Sequence, residues 1–88
     1  MFYAYVIKSL GFDFYYKGHC EDLHKRLNEH NIGMTESIKK YRPFVIVYSE
    51  EFETRVETIK REKYFKSAAG RRFLKKILNP ADYDSSKK

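Results

Sequence analysis

Residues 2–8 read FYAYVIK, and this short segment decides the fold. Side chains of a β-strand alternate between its two faces, and here both faces are largely apolar. One face carries Tyr3, Tyr5 and Ile7, and the other carries Phe2, Ala4 and Val6. A strand that is apolar on both faces is covered on both faces. We therefore predict that residues 2–8 form an interior strand of a sheet flanked by helices.

The segment that follows predicts a β-hairpin. Turn residues occupy positions 9–13, and the aromatic run FYYKG at 14–18 resumes a β-rich pattern. If the loop is residues 9–12, residue 8 pairs with residue 13. Tyr5 then lies directly opposite Tyr16, with both side chains on the same face of the sheet.

The next elements are a helix and a third strand. Acidic residues at positions 21 and 22 favour a helix start, and Asn31 with Gly33 provides a stop. These signals predict a first helix at roughly 21–31. The Val- and Ile-rich segment FVIVYSE at 44–50 predicts the third strand.

Residues 54–78 predict two more helices. Thr54 is a candidate N-cap, and Glu57 completes a capping box with it, so a second helix is expected to run to 67–69. Gly70 is expected to break this helix, and a final helix is expected at 71–78.

The element order β-β-α-β-α-α predicts a small α+β domain, with a three-stranded antiparallel sheet flanked by helices. A chain of 88 residues supports one core rather than two. We assign residues 1–79 to this domain and residues 80–88 to a flexible polar tail.

Composition narrows the classes of function. The chain has 18 Lys and Arg against 12 Asp and Glu, and a net charge of +6 favours an anionic partner, nucleic acid first and an anionic membrane surface second. No apolar run approaches the roughly 18 residues of a membrane span, and no signal peptide is visible, so we expect a soluble cytoplasmic protein. The single cysteine, Cys20, excludes an intramolecular disulfide and a Cys-cluster zinc site.

Two helix faces carry polar groups where packing favours apolar ones. In LHKRLNEHN (23–31), the spacing places Arg26 and His30 on the same face as the two leucines. In the second helix, Glu62 shares a face with Phe65 at about 100° per residue.

Each polar residue also has an ordinary structural explanation. His30 suits a helix C-terminus, Arg26 can extend its charge to solvent, and Glu62 can pair with a lysine four residues later. Tyr5 and Tyr16 can be core rings with hydrogen-bonded hydroxyls. Together, however, two phenols, a guanidinium, an imidazole and a carboxylate on one small face each need partners. Such convergence indicates a functional site.

Several spaced blocks resemble the GIY-YIG nuclease family, in the small single-domain form related to the endonuclease domain of the bacterial excision-repair incision subunit. The blocks cover most of the chain. They are YAY (3–5), YKG (16–18), DLHKRLNEHNIG (22–33), KKYRPFVIVYSEEF (39–52), IKREKYFKS (59–67) and GRRFL (70–74).

The chain also departs from the family pattern. Tyr3 and Ala4 replace the Gly and Ile of the first motif, and Lys17 replaces the Ile of the second. Cys20 stands where the family usually has a small hydroxyl residue. Asn79 could correspond to the family's late asparagine, although Asn before Pro is also an ordinary helix stop.

The resemblance implies an endonuclease that uses one divalent cation, Mg²⁺ or Mn²⁺, held by Glu62. It implies that Arg26 clamps the scissile phosphate. Tyr5 is the candidate general base for the attacking water, with His30 accepting or relaying the proton. Tyr16 would position the water or the phosphate, and the choice between the two tyrosines stays open.

The expected substrate is DNA, with RNA as an open alternative. A set of basic residues is predicted to hold the backbone, although such residues are also common on a merely solvated face. The set is Lys17, Lys40, Arg42, Lys66, Arg71 and Arg72. The chain has no room for a separate recognition domain, so DNA structure, a protein partner or a homodimer must direct it. The alternative function is a catalytically idle module of the same fold that binds nucleic acid or a protein.

Overall fold

The computed structural model describes residues 1–79, and the predicted flexible tail at 80–88 lies outside the described residues. The described part has three strands, three α-helices and one short 3₁₀ helix. In chain order they are β1 (Phe2–Ser9), β2 (Tyr15–Cys20), α1 (Leu23–Asn31), the 3₁₀ helix (Lys39–Tyr41), β3 (Phe44–Phe52), α2 (Arg55–Lys66) and α3 (Ala68–Leu78). This order confirms the predicted α+β class.

The three strands form one antiparallel sheet in the order β2-β1-β3. The strand that is apolar on both faces is therefore the middle one, as its pattern predicts. Ala4, Tyr5, Val6 and Ile7 are all buried, because the sheet is covered on both sides.

The predicted hairpin register is wrong by two residues. Tyr5 pairs with Gly18, and Tyr16 pairs with Ile7. β1 runs on to Ser9 and β2 begins at Tyr15, so the loop is residues 10–14 and not 9–12. The Ser9 side-chain oxygen accepts hydrogen bonds from two backbone N–H groups of this loop. Because the shift is an even number of residues, Tyr5 and Tyr16 still lie on the same face.

The described residues form two buried clusters, one on each side of the sheet, so the expectation of one core is wrong: a sheet covered on both faces has a core on each. On one side, Ala4 and Val6 pack with Phe65 of α2 and Leu74 of α3. On the other side, a second buried set packs against the leucines of α1; its members are Tyr5, Ile7, Ile38 and Phe44. The alternation of β1 thus separates the helices into an α1 side and an α2/α3 side.

The helix ends follow local capping chemistry. Asp22 is the N-cap of α1 and accepts a hydrogen bond from the N–H of Lys25, so the helix begins at Leu23 rather than at 21. The predicted capping box of Thr54 and Glu57 opens α2. This side-chain cap satisfies N–H groups that have no partner within the helix.

Gly70 does not break a helix, contrary to the sequence prediction. Ser67 ends α2 and caps α3, so α3 already begins at Ala68 and contains Gly70. A Cβ atom at Gly70 would lie 1.7 Å from the carbonyl oxygen of Tyr64. Gly70 is thus required by the close approach of two backbones, and not by a change of chain direction.

Among the described residues, no helix combines the length and apolarity that a membrane span requires.

Candidate active site

A chain of hydrogen bonds links β1 to α1 in the core of the α1 side. The Tyr5 hydroxyl lies 2.8 Å from Nε2 of His30, and Nδ1 of His30 lies 3.0 Å from Oγ1 of Thr35. Nε of Arg26 donates to the Tyr5 oxygen at 3.4 Å. Arg26 can only donate hydrogen bonds, so among residues 1–79 the acceptor for the Tyr5 hydroxyl proton is Nε2 of His30. We therefore assign the neutral His30 tautomer that carries its proton on Nδ1.

Burial controls the protonation of this network. Burial raises the pKa of Tyr5 to about 12, although the nearby Arg26 opposes the shift. Burial, assisted by the charge of Arg26, lowers the pKa of His30 to about 4, and Glu29 opposes that shift. At neutral pH both groups are therefore uncharged, and both are almost completely hidden from solvent.

Tyr5 needs the glycine opposite it. A Cβ atom at Gly18 would lie 2.5 Å from the Tyr5 hydroxyl, so any larger residue would displace the phenol. The motif glycine therefore has a packing reason, which is to let the Tyr5 side chain cross over β2.

The hydroxyl of Tyr16 is accessible, unlike that of Tyr5. The Tyr16 ring packs edge-on against His30, with ring centroids 5.2 Å apart. No buried side-chain polar atom of residues 1–79 lacks a hydrogen-bond partner, and the Tyr16 hydroxyl forms no hydrogen bond there. This hydroxyl consequently reaches the surface.

Glu62 lies on the other side of the sheet from Tyr5, Tyr16, Arg26 and His30. The expectation that all five share one face is wrong, because α2 packs on the face of β1 opposite to α1. Nδ1 of His19 donates to one Glu62 oxygen at 2.6 Å, and Lys66 donates to the other at 2.7 Å.

The Glu62 carboxylate is stabilised in its charged form. Partial burial raises its pKa, but the hydrogen bonds from Lys66 and His19 outweigh burial, and the pKa lies below its ordinary value. Its side chain is 17% exposed, whereas that of Lys66 is 54% exposed. Lys66 can therefore leave the carboxylate by extending into solvent, because its own side chain is more than half exposed.

A groove lies at the C-terminal end of β2, where the strand leads into α1. His19 and Arg26 both line it, together with Cys20 and Glu29. β2 is an edge strand, so no further strand separates the α1 side from the α2/α3 side at this point. Glu29 holds Arg26 through an ion pair of 2.9 Å. The groove therefore holds both the Arg26 guanidinium and His19, the hydrogen-bond partner of Glu62.

His19 was missing from the sequence-based candidates. The sequence did contain a local indication of its position. His19 follows Lys17 by two residues, so both side chains lie on the same face of β2. What the pattern could not provide was the partner, since Glu62 is 43 residues away in the chain.

The predicted backbone-binding residues separate into groups. Lys17 and Lys66 lie near one another and near Arg71, since the charges of Lys66 and Arg71 act on Lys17. Arg72 is exposed on α3. Lys40 and Arg42 lie elsewhere: Lys40 is over the Tyr41 ring, which stacks on Phe14 in the α1-side core, and the Arg42 guanidinium is close to Gly33.

Within residues 1–79, no group of three or more His, Cys, Asp or Glu side chains could hold a metal ion. The donor set at β2 is one carboxylate with a histidine beside it. This set excludes a closed structural zinc site, but it fits a hydrated Mg²⁺ or Mn²⁺ ion, which keeps several waters and needs few protein ligands.

Comparison with known proteins agrees with this architecture. The GIY-YIG catalytic domain matches residues 1–76. A UPF0213 protein of Staphylococcus saprophyticus is 36% identical over 76 residues, which are 85% of this chain and 92% of that protein. The UPF0213 protein YazA of Bacillus subtilis is 37% identical over 65 residues, which are 73% of this chain and 65% of YazA. No solved structure matches the chain significantly.

The match confirms the resemblance seen in the motif blocks, and it spans almost every described residue. Because the strands and helices also have the order expected of that domain, the chain belongs to the GIY-YIG catalytic domain family of nucleases.

Proposed function

We propose that this protein is a divalent-metal-dependent endonuclease that hydrolyses phosphodiester bonds in DNA. The observation that carries the proposal is the groove at the C-terminal end of β2, which His19 and Arg26 both line. Arg26, a guanidinium that can hold a phosphate, lines the groove directly, and His19 in the same groove is hydrogen-bonded to Glu62, an acid that can hold a cation. Phosphodiester hydrolysis requires both kinds of group.

Arg26 is the proposed phosphate clamp. Its planar fork of donors suits a phosphate better than lysine would. The Arg26 side chain is 33% exposed, and Glu29 occupies one of its nitrogens at 2.9 Å. The other terminal nitrogen of Arg26 forms no hydrogen bond among residues 1–79, so it is available to a phosphate while Glu29 stays in place.

Of the two phenols, Tyr16 is the one that we propose to contact the attacking water, because its hydroxyl reaches the surface. The sequence-based preference for Tyr5 as the general base stays a prediction. In this proposal Tyr5 positions Arg26 through the hydrogen bond at 3.4 Å. His30 is too buried to touch the substrate, so it can exchange a proton only through its hydrogen-bond partners Tyr5 and Thr35.

Glu62 is the proposed holder of the cation, Mg²⁺ or Mn²⁺. When bound, such an ion neutralises charge at the phosphate and lowers the pKa of a bound water. His19 donates to the carboxylate and so fixes its orientation, as outer partners of metal ligands generally do. Lys66 would release its Glu62 oxygen, because the lysine side chain is long and half exposed.

Several finer properties follow from the same proposal. Lys17, Lys66 and Arg71 would hold the backbone without reading the sequence. Targeting would then depend on DNA structure, a protein partner or a homodimer, as in repair or recombination. RNA stays an alternative substrate. The similar proteins are bacterial, and we propose the bacterial cytoplasm, where DNA is present, as the location.

The test is cleavage of supercoiled plasmid and branched DNA in Mg²⁺ or Mn²⁺. We expect the wild type to cut, Glu62→Gln and Arg26→Lys to lose cleavage, and Glu53→Gln to cut like the wild type. Glu53 is an exposed carboxylate outside the groove, so it controls for the change of charge. Cleavage that survives Glu62→Gln would overturn the proposed role of this acid.

One observation favours a catalytically idle module instead. Both Glu62 oxygens already accept hydrogen bonds, and Tyr5 and His30 are sealed in the core. In that case the wild type binds DNA or RNA without cutting it in either cation. Binding of a protein but of neither nucleic acid would identify a protein-interaction module.

A further inference from the structure

A second cavity lies on the α2/α3 side, between the start of β2 and the C-terminal half of α3. We call it the α3 pocket; its volume is about 380 Å³, within the usual range of small-ligand sites. Its floor is apolar, with Val6 and Leu74 buried and Leu78 beside them. Tyr15 adds an aromatic ring to the wall. None of these groups has a role in the proposed reaction.

The mouth of the α3 pocket is strongly basic. Lys17, Arg71 and Lys75 line it against a single carboxylate, that of Asp13. Within residues 1–79, none of the three cations forms an ion pair. Burial and the charges of Arg71 and Lys66 lower the pKa of Lys17, so the cations repel one another. A phosphate placed among them would relieve this repulsion.

The α3 pocket is adjacent to the proposed active site. Tyr15, Lys17 and His19 alternate along β2, so all three lie on the same face of the sheet. Neighbouring members are separated by two residues, or about 7 Å. Lys17 therefore stands between the α3 pocket and the His19–Glu62 pair. A single strand of nucleic acid bound along β2 would reach all three of these side chains.

We propose that the α3 pocket binds the base of an unpaired nucleotide next to the scissile phosphate, and that Lys17 and Arg71 hold the phosphate of that nucleotide. This inference rests on the proposed function. A base inside a duplex is stacked and cannot enter a cavity, whereas an unpaired or extruded base can. An aromatic wall and an apolar floor suit the flat face of any base, so this site would select single-stranded structure and not sequence.

The experiment compares two DNA probes in EDTA, so that no cleavage occurs. One is a fully paired duplex, and the other is the same duplex with a short single-stranded flap carrying 2-aminopurine. Binding is measured by fluorescence anisotropy for the wild type, Tyr15→Leu, Arg71→Glu and Lys63→Glu. Lys63 is exposed on α2 and does not line the pocket, so Lys63→Glu matches the charge change of Arg71→Glu.

We expect the wild type to bind the flap probe about tenfold more tightly than the paired probe, as one stacked base allows. Lys63→Glu should weaken both probes equally and keep the ratio. Tyr15→Leu and Arg71→Glu should bring the ratio close to one, and Tyr15→Leu should abolish the change in 2-aminopurine fluorescence on binding. Melting curves identify a variant that does not fold. Because Arg71 is exposed and Tyr15 is partly buried, Arg71→Glu is expected to disturb the fold less than Tyr15→Leu.

Equal binding of both probes by the wild type, or a preference that survives Tyr15→Leu and Arg71→Glu, would overturn the pocket proposal. This result is separate from the cleavage assay. A protein that cuts DNA without preferring the flap keeps the proposed function and loses only the α3 pocket. A protein that prefers the flap through Tyr15 without cutting keeps the pocket and loses the enzymatic function.

Discussion

The Tyr5 hydroxyl lies 2.8 Å from Nε2 of His30, and this buried contact joins the middle strand of the sheet to α1. The other ring nitrogen of His30 lies 3.0 Å from Thr35. Both nitrogens of a neutral imidazole therefore have partners. Protonation would put two donors on the ring and a charge in the core, so the fold itself opposes the charged form.

Stability is expected to fall in mild acid because of His30. Its pKa is 6.5 in the unfolded chain and about 4 in the fold, so the unfolded state binds more protons between these values. The contribution is complete above pH 6.5 and is lost as the pH falls toward 4. It amounts to a loss of about 2 kcal/mol at pH 5.

Thermal or urea unfolding at pH 7.5 and pH 5 checks this expectation. His24→Gln, at an exposed histidine of the same helix, should keep the loss of stability, and His30→Gln should reduce it. The charged neighbours Arg26 and Glu29 oppose each other at His30, which leaves burial as the main cause. Equal pH dependence in both variants would contradict the assignment.

Gly18→Ala should destabilise the protein by about 1–3 kcal/mol, the usual cost of overpacking a core. Its Cβ would meet the Tyr5 hydroxyl at 2.5 Å, and any shift of the buried phenol would disturb its hydrogen bonds to His30 and Arg26. Gly11→Ala is the matched control, because nothing lies within 4 Å of a Cβ there. Urea unfolding of both variants would decide the matter, and equal stability would show that the Tyr5 ring can adjust.

Asn31→Asp should cost about 1–3 kcal/mol, because a buried acceptor would lose its donor. The Asn31 side chain accepts from the N–H of Phe44 at 2.6 Å and donates to its C=O at 3.1 Å, so it fastens the end of α1 to the start of β3. An aspartate can accept but cannot donate. Asn28→Asp, at an exposed position of α1, should change stability little, and unfolding in urea at neutral pH compares the two.

Glu62→Ala should leave the fold within about 1 kcal/mol of the wild type while abolishing cleavage. If Glu62 were only a polar residue on an apolar helix face, its removal would increase the stability of the fold. The structure gives Glu62 two partners, His19 and Lys66, so gain and loss should nearly cancel. A fall in Tm of many degrees would mean that Glu62 is chiefly structural.

The sequence by itself determined the element order, the middle position of β1 and the capping box of Thr54 and Glu57. These features depend on alternation and on contacts between residues close in the chain, which a pattern records directly. The motif blocks also indicated the family, because several short blocks in a fixed order are specific even when each is not.

Only the tertiary structure decided which groups meet. Gly70 reads locally as a helix breaker, but the approach of α3 to Tyr64 explains it. Glu62 reads as part of one polar face, yet α2 packs on the opposite side of the sheet from Arg26. His19, which is hydrogen-bonded to Glu62, lines the same groove as Arg26. The side of a sheet on which a helix packs depends on distant contacts, and no local periodicity encodes them.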